Sequence, residues 1–405
     1  MQRKHHKTDV YRAIANYEEE GTLKIGNIVD RPYRSALGVN TLGSEGSYTR
    51  QDITDTSETL TVDTKKEVSF YVQEPDRIQS KYSQANEYAD DAAVKLSNWI
   101  DGDILGEYDQ ASSVIGAYEM AGTGSASDGI GFTLSISNVL KVFVKADKAL
   151  GLLNVKFRAM YKNKRGTEKV ESSNLFGVIS PNFKSTLLEY LGGKETALGD
   201  TTAVNGHIGR FMGFDLYESN NLGASYYLAM TTFATEGDTL TINGVAWRFK
   251  AAIAQAGDID IGASTAIQID NMVAAINNSE SLAAGVEGTL YWEVTAANRF
   301  LLNGITATDG ATYMTLKSEG RGHIAITETF TNDGNLFTVT KSLEHQLFGV
   351  KGATDIVIQK YPNFVTKDRS GYLGKDFVTW TMYGLLTFDE GDDMLVDVQV
   401  RSDAF

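Results

Sequence analysis

Few side chains in this sequence have the type and spacing that chemistry needs. The five histidines are His5, His6, His207, His323 and His345, and there is no cysteine. Three of them stand singly, in Gly-His-Ile, Gly-His-Ile and Glu-His-Gln settings. A general base needs an orienting partner and a proton within reach, and the sequence around these residues offers neither. His5-His6 would hold a metal only weakly, and a solvated tail is the plainer reading. Asp101, Asp103 and Asp109 echo a calcium loop with Gly106 at the expected place. Position five is Leu105, however, and Ser112 stands where the bidentate Glu belongs. Gly257-Asp-Ile-Asp-Ile-Gly262 offers a turn with two carboxylates. Gly374-Lys375 is followed by Asp376 and makes no phosphate loop. There is no Gly-x-Ser-x-Gly elbow and no His-Glu-x-x-His. Asn277-Asn278-Ser279 fits a glycosylation sequon, which means nothing without secretion. Without Cys there is no disulfide scaffold or thiol catalysis. The residues call for no enzyme, metal or cofactor.

The chemistry is sparse, so the elements themselves must carry the function. The chain has 405 residues, 4 prolines and a net charge of −15, which argues against a general nucleic-acid binder. The longest apolar stretch, Val139 to Val155, is broken by Lys141, Lys145, Asp147 and Lys148, so no membrane span is expected. The opening Met1-Gln-Arg-Lys-His-His-Lys7 has no apolar core, so no secretory signal is expected. Residues 1–12 carry four basic groups, Arg3, Lys4, Lys7 and Arg12, against Asp9. They read as a solvated tail or as an arm over an acidic partner.

From Tyr33 to Gln73 the sequence is polar and extended. Leu60 and Val62, then Val68, Phe70 and Val72, alternate with polar residues, which predicts two strands around a turn at Asp63–Lys66. Pro75-Asp76 opens a predicted helix over 76–105. Its narrow stripe is Ile78, Tyr82, Ala85, Ala89, Ala92, Leu96, Trp99 and Ile104. A second helix is predicted over 137–150, with Ile136, Leu140, Phe143 and Leu150 inward and Gly151 as its stop. Phe176 to Ile179 reads as a buried strand, followed by a helix capped by Ser180 with Pro181 at its first position. Ile208 to Tyr217 is strand-like, and this strand–helix–strand order implies an α+β core with mixed pairing.

Composition shifts near residue 234. Residues 234–340 hold five basic against twelve acidic groups, a net −7. Asn243-Gly244 predicts a hairpin in which Ile242 faces Val245 and Leu240 faces Trp247. A helix follows over 265–277, with Ile269, Met272, Val273 and Ile276 on one face. Strands are predicted at 289–294, 299–302, 312–317, 323–328 and 336–340. Beyond it, Phe348–Ala353 with Ile356–Ile358 reads as one element, and 377–388 and 394–400 as two strands. A main domain interrupted by an inserted β-rich domain follows from this layout.

Several phrases in order resemble the tailed-bacteriophage major capsid proteins of the Hong Kong 97-type fold. They are Tyr48-Thr-Arg-Gln-Asp-Ile-Thr54, Val68-Ser-Phe-Tyr-Val-Gln-Glu-Pro-Asp76 and Ala92-Ala93 with Leu96 and Ile100-Asp101. Val178-Ile-Ser-Pro181, Ile208 to Asn220, Phe348-Gly-Val-Lys-Gly-Ala353 and Tyr383-Gly384 continue the pattern. Together they cover about two-thirds of the chain. The resemblance implies an N-terminal arm (1–32), an extended hairpin loop (33–75) and a capsid core (76–233 and 341–405) with a long spine helix. The inserted domain (234–340) is similar to a module of phage virion proteins through Gly237-Asp-Thr-Leu-Thr-Ile-Asn-Gly244. The implied function is self-assembly into hexamers and pentamers of an icosahedral head around double-stranded DNA. Assembly would occur in the host cytoplasm, with a separate scaffolding protein, a portal and a decoration protein as partners. The charged residues Arg50, Lys65, Lys66, Glu67, Asp76 and Arg77 are expected at intersubunit contacts. Arg3, Lys4, Lys7 and Arg12 are expected on the genome side. An encapsulin-like compartment shell and a glycan-binding tail adhesin are the alternatives.

Overall fold

The computed structural model describes residues 9–21, 26–34, 38–41, 46, 48, 50–53, 55–74, 84–121, 131–153, 174–192, 209–229, 234–310, 313–318, 324–330, 338–368 and 371–401. The chain divides into two units. The first comprises 1–13, 98–351 and 392–405, and the second 14–97 and 352–391.

The first unit is organised on the strand Thr338–Val350. It pairs antiparallel with Leu395–Arg401, with Leu175–Ile179 and with Ala224–Ala229. Ile305–Asp309 and Tyr313–Ser318 extend the sheet at one end, and Phe214–Glu218 and Arg210–Phe211 extend it at the other. On this sheet pack the helices Val139–Leu152 and Pro181–Gly192, whose buried residues include Phe143, Ala146, Leu150, Phe183, Leu187 and Leu191. Ser180 caps the latter helix, its Oγ accepting from the Phe183 N–H at 3.2 Å. The former helix buries the predicted Phe143 and Leu150 and adds Val139, Val142 and Ala146, while Ile136 precedes it and is 43% exposed. Gly151 lies within that helix rather than ending it.

Phe348 is the keystone of this core. Its ring meets Phe143 and Phe214 edge-on, with centroids 5.5 Å away in both cases. Gly177 lies opposite Phe348 across the sheet, and a Cβ there would sit 2.7 Å from that ring. Glycine is therefore required at 177 by close approach, not by backbone conformation.

Residues 234–340 divide in the structure. Thr239–Ile242, Val245–Lys250, Asp258–Asp260 and Ile326–Glu328 form a four-stranded sheet of their own. The hairpin has the predicted register, with Ile242 opposite Val245 and Leu240 opposite Trp247. Asn243 and Gly244 take φ of 49° and 82°, the left-handed pair that such a two-residue turn demands. Helix Thr265–Asn277 buries Ile269, Met272 and Ile276. By contrast, 305–309 and 313–318 join the larger sheet beside Ala224–Ala229. The strand expected at 299–302 is instead the end of a short helix, Ala296–Leu301, capped by Thr295.

In the second unit, Ile28–Arg34 and Asp55–Thr61 form an antiparallel ribbon. Thr354–Asp368, Gly374–Thr387 and Thr64–Gln73 form a three-stranded sheet in that order. The two strands read as neighbours around Asp63 thus belong to different sheets. Their junction lacks the Asn-Gly or Asp-Gly chemistry of a two-residue hairpin. Val62 is buried instead, and its N–H donates to the Asn27 carbonyl at 2.8 Å. Phe348–Ala353 and Ile356–Ile358 likewise part, because Gly352 (φ 87°) ends one strand before the next begins. A small core of Leu60, Val62, Val357 and Phe388 sits at the ribbon's root.

The long helix runs Gln84–Gly106. Ala92, Leu96, Ile100 and Ile104 are buried at steps of four, and Trp99 is half-buried. The expected cap at Asp76 lies outside the described residues.

Replacing Phe348 with Ala should destabilise the protein by about 3–5 kcal/mol, as for other buried aromatic deletions. Gly177→Ala should also lower stability, because its methyl would press on the same ring. Urea denaturation of both variants checks this.

Candidate functional site

Asp101 is the most heavily engaged buried side chain. It lies on the inner face of the long helix and is fully buried. Its Oδ1 accepts the backbone N–H groups of Val10 and Tyr11, both at 2.7 Å. Its Oδ2 accepts from Asn221 Nδ2 at 2.8 Å and from the Ser219 hydroxyl at 3.4 Å. Burial pushes its pKa up, and the bonds from Asn221, Val10 and Tyr11 oppose that rise. One carboxylate thus fastens the N-terminal segment and the 219–221 turn to the helix. It is a fastening, not a calcium ligand. Asp109 pairs instead with Lys317. The carboxylate turn at 257–262 is similarly satisfied. Asp258 accepts from the N–H groups of Ala254 and Gln255, both at 3.0 Å, and pairs with Arg248 at 2.9 Å. Among the described residues no cluster of three or more metal-ligating groups occurs.

Ser225, His345 and Asp397 form a row across three neighbouring strands. The Ser225 hydroxyl lies 2.8 Å from His345 Nε2, and His345 Nδ1 lies 2.9 Å from Asp397 Oδ2. These are the distances of a nucleophile, base and orienting acid. The three residues are only 8%, 4% and 2% exposed, and Tyr108 stacks on the imidazole with ring centroids 3.8 Å apart. The row is a cross-strand clamp with no face open to a substrate. No alternation marked it in the sequence, because the strand is buried on both faces: Gln346 and Phe348 are as buried as His345 and Leu347. His5, His6, His207 and His323 lie outside the described residues.

The charged residues expected at contacts are dispersed. Arg50 is exposed and pairs with Asp52 at 3.3 Å. Lys65, Lys66 and Glu67 are on the strand 64–73, opposite Met382, Thr381 and Trp380. Lys65 and Glu67 are exposed on one face, and Lys66 is half-buried on the other. The Arg12 Nε donates to the Tyr11 hydroxyl at 3.1 Å. Asp76, Arg77, Arg3, Lys4 and Lys7 lie outside the described residues. Sequence reasoning missed Arg31, which pairs with Asp355 at 3.0 Å and lies 4.4 Å over the Phe388 ring. The second unit leaves Tyr48, Ile53, Tyr361, Tyr372 and Leu373 exposed, with Leu373 at 79%.

No family model and no curated protein matches the chain. Solved structures do. A structure described as Mycobacterium phage Che8 matches with a TM-score of 0.55 at 15% identity, over 98% of this chain and 93% of that one. The capsid structure of the cyanophage P-SCSP1u matches with a TM-score of 0.51 at 10% identity, over 100% of this chain and 91% of that one. The chain has the fold of a phage capsid subunit. The expected α+β class holds, with helices and sheets mixed along the chain. Its buried polar centres, Asp101 and His345, are internal fastenings of the subunit.

Asp101→Ala should cost about 3 kcal/mol, since it strands several buried donors worth about 1–3 kcal/mol each. Limited proteolysis should then cut near residues 9–14. Ser225→Ala should leave the fold intact, and a fluorophosphonate should not label the native wild-type chain. Among the described residues, the resolved carboxylate shifts, at Glu58, Asp101, Glu293 and Asp355, are all upward, burial being the first cause in each. A folded pKa above the unfolded one means that the native state binds more protons. Their contribution to stability is therefore present below the unfolded pKa values and is lost as pH rises through the folded ones toward neutral. Thermal unfolding across that range checks the sign.

Proposed function

We propose that this chain is the major capsid protein of a tailed phage, which self-assembles into an icosahedral head and encloses double-stranded DNA. The observation that carries the reading is likeness to phage structures along nearly the whole length of the chain. Two features support it. The second unit has a small core and exposes large apolar side chains, as surfaces covered by neighbouring copies would. The buried polar centres fasten strands and segments rather than opening onto a cleft, which fits a structural protein without catalysis.

In this reading copies of the chain form hexamers and pentamers. The loop around Arg50, with Lys65, Lys66, Glu67, Asp76 and Arg77, meets neighbouring subunits. The basic arm, with Arg3, Lys4, Lys7 and Arg12, faces the genome. The four-stranded module within 234–340, acidic and closed on its own hairpin, projects outward. A separate scaffolding protein, a portal and a decoration protein complete the head, which assembles in the host cytoplasm.

Negative-stain microscopy of the purified chain should show shell-sized particles, and monomers or trimers alone would refute the reading. Lys65→Glu with Lys66→Glu should remove most particles. Stability of the isolated subunit should change by only about 0.5 kcal/mol, as for surface substitutions. Unchanged particle yield would exclude these lysines from the contact.

A further inference from the structure

In an asparagine–glycine pair the glycine nitrogen reaches the asparagine side-chain amide carbon with little hindrance, because glycine has no Cβ in the way. The sequence holds Asn205-Gly206, Asn243-Gly244 and Asn303-Gly304. The first pair lies outside the described residues. The other two stand in opposite surroundings. Asn243 is half-buried and held on two sides. Its N–H donates to the Ala325 carbonyl at 2.8 Å, and its Oδ1 accepts the Ala325 N–H at 2.9 Å. Its turn joins two paired strands, with Ile242 opposite Val245.

Asn303 follows the short helix Ala296–Leu301 and is exposed. Its N–H meets the Phe300 carbonyl only at 3.4 Å. Among the described residues, neither its side-chain amide nor the Gly304 N–H has a hydrogen-bond partner. Gly304 takes a φ of 78°. Leu302 and Ile305, on either side of the pair, are buried.

We propose that Asn303 is a site of spontaneous deamidation, converting to aspartate and isoaspartate in the native chain while Asn243 is protected. The Gly304 nitrogen, losing its proton to water, forms a bond to Asn303 Cγ. The Cγ–Nδ2 bond breaks, and that nitrogen leaves as ammonia. Water then opens the five-membered imide at either of its carbonyls. Opening at one gives aspartate. Opening at the other gives isoaspartate, whose main chain runs through the former side chain. Either product adds a negative charge to residues 234–340, which already hold twelve acidic against five basic groups. Isoaspartate also lengthens the main chain between the buried Leu302 and Ile305. Ile305 begins strand 305–309, which among the described residues pairs with 313–318 alone. The product therefore loosens an edge of the large sheet.

The test is incubation of the unassembled full-length chain in warm, mildly alkaline buffer, then digestion and mass spectrometry of the peptides holding residues 243 and 303. The two products separate by chromatography and share the mass gain of an amide-to-acid exchange. In the native chain residue 303 should convert faster than residue 243 by about tenfold or more, since the bonds to Ala325 must break before Asn243 can react. In urea the two sites should convert at comparable rates. Asn303→Gln, which would have to close a six-membered ring, should stay unchanged at 303 and keep the hydrogen-exchange protection of 305–309 that the aged wild type loses. A native chain in which 243 converts as fast as 303 overturns the proposal. So does a residue 303 that stays intact in the native chain while converting in urea. Unchanged protection of 305–309 in fully converted wild type overturns the loosening.

Discussion

A carboxylate sunk into an apolar helix face survives only where donors converge on it. Asp101 meets that condition with two backbone amides, an asparagine amide and a serine hydroxyl. Three separate stretches of chain must therefore arrive together before the helix can bury that face. The 219–221 turn lies between strands 214–218 and 224–229, and the latter borders the central strand. The order of the sheet and the position of the N-terminal segment are tied through this one side chain. Lose it, and orphaned amides would have to find water inside a packed core.

The two units solve the burial problem differently. The first surrounds its central strand with pairing and covers it with aromatic rings. Polar residues enter only as complete rows, such as Ser225, His345 and Asp397. The second is a ribbon and a three-stranded sheet around a small core, stitched by Arg31 and Asp355. Much of its apolar surface stays uncovered within one chain. That contrast separates a part with a large buried core from a part with a small one.

Elements specified by local chemistry were legible in the sequence. Asn243-Gly244 names its own turn, and alternation around it fixes the register. Ser180-Pro181 marks a helix start by its cap. What failed were choices made by distant residues. The alternating stretches around Leu60–Val62 and Val68–Val72 read as strands on either side of a turn at 63–66, yet strands 55–61 and 64–73 each find a partner elsewhere in the sequence. Strands 305–309 and 313–318 looked like part of an inserted domain, but their edge is completed by 224–229. The helix at 296–301 was hidden because its pattern is too short to separate from a strand. Asp101 and His345 were visible as residues but not as centres, since their partners lie about 50 to 120 positions away.

The placement of strand 395–401 has a consequence for synthesis. It pairs with 343–349 on one side and with 113–115 on the other, closing the sheet between early and late segments. Pairing over such separations is slow, because the loop must be closed before any contact rewards it. On the ribosome, the first unit stays incomplete until residue 401 has emerged. Until then the cluster around Phe143, Phe214 and Phe348 lacks Val396, Val398 and Val400. Strand 395–401 thus sets the point in synthesis after which the sheet of the first unit can close.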